Sequence, residues 1–187
     1  MKEDIKKAVE VLQNGGVILY PTDTIWGLGC DATDKNAVSK IYKIKQRNEE
    51  KSMLVLLNNM NNIYSYVDIV PEIALDIAEL SEKPVTLIYP GAKNLAENLI
   101  APDGSIGIRI TKEEFTYQLL QKFRKPIVST SANIAGDKTA ANFSEISEKI
   151  KSQVDYIVKY RQEDNTPKAS SSIIKVGVSN EITVIRK

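Results

Sequence analysis

Histidine is absent from the 187 residues. That removes the commonest general base and the commonest zinc ligand, so His-containing triads and His/Cys zinc sites are excluded. An enzyme made from this chain has to work by positioning and charge neutralisation, as nucleotide and phosphoryl chemistry allows. Cysteine occurs once; Cys30 cannot form an internal disulfide and fits a small core position beside Gly29. Neither sign of charge dominates: 25 Lys plus Arg against 24 Asp plus Glu leave a net charge of +1. There is no global drive toward nucleic acid or an anionic membrane, and any basic site has to be local. No apolar run approaches the roughly 20 residues of a membrane span. Met1-Lys2-Glu3-Asp4 opens an amphipathic segment rather than a signal peptide, so a cytoplasmic protein without membrane association is expected. A Walker loop and G-x-G-x-x-G are also missing, so neither standard phosphate-binding signature explains a nucleotide site. No carboxylate cluster marks a metal site.

What is present is organised around Gly15 to Arg47. Val17-Ile18-Leu19-Tyr20 reads as a strand covered on both faces, stopped by Pro21. Thr22, Asp23 and Thr24 then place short hydrogen-bonding side chains where an open sheet exposes its ligand crevice. Gly27 and Gly29 read as a glycine-bracketed loop allowing close approach or positive φ, with Trp26 as a rigid apolar wall. An ordinary tight turn rich in turn-formers fits this stretch equally well.

Ile5, Ala8, Val9 and Leu12 follow helical spacing over residues 4–14, with Gly15 placed to end the helix. Asp34 can cap a second helix through Ala37, Val38, Ile41 and Ile44. That helix carries Lys43, Lys45 and Arg47 near its end, where cations also complement the helix dipole in a purely structural way. Strands are expected over Ser52–Leu57, in VTLIY after Pro84, in SIGIRI, in Pro126-Ile127-Val128 and in VDYIVKY. Arg109 inside SIGIRI needs a partner. An asparagine-rich turn is expected at 58–62, and helices from Pro71 to Leu80 and over 142–150. Thr111 with Glu114 resembles a capping box for the helix carrying Phe115, Leu119, Leu120 and Phe123. Ser129 to Asn133 forms a second polar cluster at a strand end, which a helix-capping serine loop would also explain. Arg161–Ala169 lacks apolar periodicity and reads as an exposed loop, and Ser170–Val176 can pair with Glu181–Arg186 as a hairpin. Together these elements imply an α/β fold: one domain over 1–187, a twisted mixed sheet with flanking helices.

The chain resembles the YrdC-like family of L-threonylcarbamoyladenylate synthases. The resemblance is carried by YPTDTIWGLGCDA, KIKQR, KSMLVLL, KPVTLIYPG, SIGIRI, VSTSANIAG and SSSIIKV, in order over more than a hundred residues. It implies a YrdC-like fold with a concave basic surface. It further implies conversion of L-threonine, bicarbonate and ATP to threonylcarbamoyl-AMP and pyrophosphate, for threonylcarbamoyladenosine modification of tRNA. Mg²⁺ would accompany ATP, and tRNA and the downstream tRNA threonylcarbamoyl-transfer proteins would be partners. By the same resemblance Lys45 and Arg47 are catalytic, and Thr24, Arg109, Ser131 and Ser171 bind L-threonine. ATP would meet Lys45, Arg47, Lys51, Ser131, Asn133 and Arg186.

Some positions depart from the family pattern: Ala135 stands for the usual serine, Ser81-Glu82-Lys83 for a Pro-Gly pair before Pro84, and Leu56 where some members carry histidine. The resemblance ends with the chain, so the extra C-terminal domain of longer members is not expected. Two other readings stay open: a non-catalytic RNA-binding domain on the same basic concavity, and a carbamoyl-adenylate-forming module like those of hydrogenase-maturation carbamoyltransferases.

Overall fold

The computed structural model describes residues 1–48 and 53–187. The first helix, α1 (Lys2–Gln13), buries Ile5, Ala8, Val9 and Leu12 along one stripe. It stops where Gly15 takes a φ of 67°, a conformation costly for a residue with a Cβ. Strand β1 (Ile18–Tyr20) follows, then β2 (Gly27–Gly29) and α2 (Lys35–Lys45). The Asp34 carboxylate caps α2 as expected, accepting from the backbone N–H groups of Asn36 and Ala37. Next come β3 (Leu54–Leu57), a 3₁₀ turn at Met60–Ser65, α3 (Glu72–Leu80), β4 (Val85–Tyr89) and β5 (Ile106–Ile110). The chain continues through α4 (Glu114–Phe123), β6 (Ile127–Ser131), the short α5 (Glu148–Lys151), β7 (Tyr156–Ile157), β8 (Ser172–Val176) and β9 (Ile182–Arg186).

Among the described residues the strands form one nine-stranded sheet in the order β7-β1-β2-β6-β3-β5-β4-β8-β9. It is mixed, as expected: β3 pairs parallel with β5 and β4 with β8, while β1–β2, β2–β6 and β8–β9 are antiparallel.

Several local expectations need correction. Gly27–Gly29 is a strand rather than a loop. Neither end glycine has positive φ, and their use is close packing: a Cβ on Gly29 would lie 2.6 Å from the Tyr20 ring and 3.0 Å from Ile127. The cap of α4 is Glu113, which accepts from Thr116 N, and not Thr111. The Thr111 N–H, just past β5, still donates to the Leu57 carbonyl of β3, so the helix begins only after it. The helix expected over 142–150 divides into a 3₁₀ turn at Phe143–Glu145 and α5, and the strand expected in VDYIVKY is just two residues long. The asparagine-rich turn becomes the cap of the Met60–Ser65 turn through Asn59. Ser129 to Ser131 lie within β6 rather than beyond it.

Side-chain alternation divides the sheet into two faces. Leu19, Leu28, Val55, Leu87, Ile108, Val128 and Val176 point to a core shared with α2, and Cys30 is buried there as a small apolar residue. On the opposite face α1 and α4 pack against each other and over Ile18, Tyr20, Leu56 and Ile127. Leu54, Thr86, Ile88, Gly107, Ser129 and Ile173 project to this second face but line an open cleft instead. The cleft is the part of the face that the two helices leave uncovered.

Candidate active site

The floor of the cleft follows from small residues at facing registers. Gly27 pairs with Ser131, and Leu54 lies between Gly107 on one side and Ser129 on the other. Glycine at 27 and 107 keeps this stretch of sheet low. The resulting space, about 300 Å³, has Trp26 as one wall, with its ring 4.8 Å from that of Phe143.

Three guanidinium side chains reach this space from separate elements: Arg47 from the end of α2, Arg109 from β5 and Arg186 from β9. Arg47 arrives there because Gln46, at φ 50° and ψ 44°, ends α2 in the left-handed conformation and turns the chain. Arg109 is only 4% exposed and has its nearest counter-ion in Asp23, with Nη2 to Oδ1 at 3.1 Å. The partner required by a charge inside an apolar strand is thus an aspartate of the polar turn after β1. Arg186 donates from both Nε and Nη2 to the Ser171 carbonyl, at 3.0 and 2.8 Å. Burial depresses the pKa of Arg47, and burial with the charge of Arg109 depresses that of Arg186. Both stay cationic at neutral pH, so the cleft concentrates positive charge although the chain is nearly neutral. Such an arrangement is relieved by an anion.

Hydroxyl groups complete the rim. Thr22 Oγ1 accepts from Thr24 N at 3.0 Å and donates to the Ile25 carbonyl at 2.8 Å, which shapes the turn that presents Thr24. The Ser171 and Thr86 hydroxyls lie 2.8 Å apart and both are buried. Arg161 closes this turn from outside through Nη1 to the Thr22 carbonyl at 3.3 Å, so the irregular 161–169 segment is anchored where it begins.

Of the residues singled out in the sequence, Thr24, Arg47, Arg109, Ser131, Ser171 and Arg186 are brought to the one cleft. Lys45 takes a different place. Its side chain is buried, and Nζ donates to the backbone carbonyls of Ser131 and Asn133 at 2.5 and 2.8 Å. Burial, followed by the charge of Arg47, lowers its pKa to about 8. Asn133 is turned into its own loop, its Nδ2 donating to the carbonyls of Ile134 and Asp137. Lys51 lies outside the described residues.

Sequence reasoning missed Thr86, Ser105 and Thr139 as cleft residues. Thr86 had a legible signal: in VTLIY it alternates with Leu87 and Tyr89, a polar side chain on the face opposite the core. Thr139 had none, because it comes from an irregular segment.

The family model described as Telomere recombination (Sua5, YciO, YrdC) matches residues 10–187. The threonylcarbamoyl-AMP synthase of Pseudoalteromonas translucida is 36% identical over 157 residues, covering 82% of this chain and 84% of that protein. Among solved structures, YciO of E. coli superposes with a TM-score of 0.85 at 26% identity, covering all of this chain and 90% of that one. Sua5 of P. abyssi complexed with L-threonine gives 0.82 at 22% identity, covering 92% of this chain. At that identity the likeness concerns the fold, and this chain spans half of that Sua5 chain's length (50%). A cleft left open on one half of a mixed sheet, the ordered motifs from β1 to β8, and a family match over nearly every residue agree: the chain belongs to the Sua5/YciO/YrdC family.

Proposed function

We propose that this protein is an L-threonylcarbamoyladenylate synthase, converting L-threonine, bicarbonate and ATP to threonylcarbamoyl-AMP and pyrophosphate. The observation that carries the reading is the convergence of Arg47, Arg109 and Arg186, with the Thr24, Ser131 and Ser171 side chains, on one cleft. The threonine amine combines with bicarbonate to give a carbamate and water. A carbamate oxygen then attacks the α-phosphorus, and the bond to the pyrophosphate oxygen breaks. Acyl and phosphoryl partners must be held in line while negative charge spreads over the phosphate oxygens, and fixed cations serve both needs.

In this reading Arg47 and Arg186 meet the phosphate chain, Arg109 pairs with the threonine carboxylate, and Ser131 stands between the two substrates. Thr24 and Ser171 line the threonine side. Lys45 acts through the Ser131–Asn133 loop, which it ties down from beneath. Among the described residues no group of carboxylate, cysteine or histidine side chains could hold a metal ion. In this reading Mg²⁺ accompanies ATP. We place the enzyme in the cytoplasm, handing its product to tRNA and the proteins that complete threonylcarbamoyl transfer. Among the described residues no helix is long and apolar enough to cross a membrane.

Purified protein given ATP, bicarbonate and labelled threonine should release pyrophosphate and form threonylcarbamoyl-AMP. Equal pyrophosphate release without threonine or without bicarbonate overturns the reading, and release driven by another carbamoyl donor would favour the carbamoyl-adenylate alternative.

A further inference from the structure

We propose that Asp23 binds the α-ammonium group of the amino-acid substrate and accepts its proton before the carbamate forms. The inference rests on the synthase reading and assigns to a step the reaction cannot avoid a residue that lines the adjoining cavity and meets the cleft through its ion pair with Arg109. An amino acid at neutral pH carries an ammonium group, which has no lone pair. It must lose a proton before its nitrogen can attack bicarbonate, and the chain has no histidine to take it.

The geometry identifies the acceptor. Asp23 lies beside Arg109, with Oδ1 3.1 Å from Nη2, yet the two are not aligned for a hydrogen bond. Asp23 Oδ1 is buried and accepts none, and Arg109 Nε is buried and donates none. A buried charged pair with an open acceptor on one side and an open donor on the other is incompletely satisfied, which is costly in a folded protein. An α-amino acid supplies both missing partners from one carbon: its carboxylate fits Arg109 and its ammonium fits Asp23.

Among the described residues, Glu113 and Lys45 are committed elsewhere. Glu113 Oε2 accepts from Thr116 N and Thr116 Oγ1, and its Oε1 faces Arg161 at 3.5 Å. Lys45 is turned into backbone carbonyls. The charged groups facing Asp23 are Arg109 from β5, Lys112 and Glu113 ahead of α4, Lys168 from the irregular segment, and Glu82 and Lys83 ahead of β4. Burial raises the Asp23 pKa against the attraction of Arg109, which makes it a better proton acceptor than a solvated carboxylate. In the step, the ammonium N–H bond breaks and the proton passes to an Asp23 oxygen. The freed amine attacks the bicarbonate carbon, yielding carbamate and water, and Asp23 returns the proton to solvent.

The test compares wild type, Asp23→Asn and Asp23→Glu for threonine-dependent pyrophosphate release from pH 6.5 to 9.5, with thermal melts alongside. Asp23→Asn should lower kcat/KM for threonine by about 100-fold or more near neutral pH, as loss of a general base does, and recover most of it at high pH where the amine sheds its own proton. Asp23→Glu should retain part of the neutral-pH rate. A loss of the same size at every pH, or no loss, overturns the assignment. Wild-type binding gives an arm independent of folding. The α-hydroxy analogue of threonine, which lacks an ammonium, should bind at least about tenfold more weakly than threonine, since the buried acceptor then stays unfilled. Equal binding overturns the proposal. A wild-type protein inactive with threonine and bicarbonate overturns the synthase reading itself, and is recognised before any variant is compared.

Discussion

The Lys45 ammonium lies 2.5 Å from the backbone oxygen of Ser131 and 2.8 Å from that of Asn133. It therefore holds the end of β6 and the loop after it more than it serves the cleft. Lys45→Met keeps the stem and removes the donor; the Ser131 carbonyl keeps its bond from Asn133 N, whereas the Asn133 carbonyl loses the Lys45 donor, at roughly 1–3 kcal/mol where water cannot reach it. The expected outcome is a lower melting temperature and weaker ATP binding, by a larger factor than the change in threonine KM. ATP titration with unchanged affinity in a folded Lys45→Met protein would remove the positioning role.

A pH dependence follows from the same contact. The Lys45 pKa is lowered to about 8 by burial, whereas the unfolded chain keeps the proton to 10.5. Between these values the unfolded state binds more protons than the folded one, so the contribution of this group to stability rises with pH. Denaturant melts of wild type and Lys45→Met at pH 7.5 and pH 10 should show the difference between them moving in favour of wild type at the higher pH.

Arg47 reaches the cleft on a chain turned by Gln46. Its planar fork can bridge phosphate oxygens in a way a lysine cannot reproduce. Arg47→Ala should lower adenylate formation by on the order of a hundredfold, the scale found for preorganised transition-state donors, and Arg47→Lys should restore little. Product formation measured beside a thermal melt decides it, because a folded and fully active Arg47→Ala enzyme contradicts the assignment.

The side of the cleft proposed for threonine is rich in hydroxyls, with the Thr86–Ser171 pair 2.8 Å apart and Thr24 held on a hydroxyl-ordered turn. Valine has the shape of threonine without its hydroxyl, so it would leave a buried donor or acceptor unpaired, at roughly 1–3 kcal/mol. Its kcat/KM should accordingly fall about tenfold to a hundredfold below that of threonine; comparable values in a competition assay would remove the pocket from this part of the cleft.

Gly29 tests the packing of the sheet. A methyl group there would lie 2.6 Å from Tyr20 and 3.0 Å from both Ile127 and the Val128 carbonyl. Gly29→Ala should destabilise by about 1–3 kcal/mol, the usual scale of overpacking. A melting temperature equal to wild type would show that β1 and β6 can move apart at no cost.

The same glycine shows why part of the fold was hidden in the sequence. Helices were legible because a period near 3.6 and a cap such as Asp34 are local signals; β5 was legible from alternation, β4 from the prolines that bracket it, and β8 and β9 as a hairpin. Strand β2 was not: Gly-Leu-Gly has turn composition, and its strand character comes from β1 and β6, which lie on either side of it. In the site, the family resemblance pointed to Arg47, Arg109 and Arg186, but it could not separate Lys45 from Arg47. Two residues apart, they point to different places because the single left-handed residue between them turns the backbone. Thr139 and the Asp23–Arg109 pairing depend on tertiary approach between distant segments, which leaves no local trace.

Arg186 donating to the Ser171 carbonyl, and the Ser171 hydroxyl meeting Thr86 across 85 positions, set a timetable for biosynthesis. Both helices over the second face and the central strands can associate while residues 170–187 are still in the ribosomal tunnel. The cleft gains its third guanidinium only after β8 has added to β4 and β9 to β8. Contacts between segments so far apart in sequence form late and slowly. A nascent chain can thus be largely folded and still unable to hold its nucleotide, so ligand capture reports the last event of folding rather than the first.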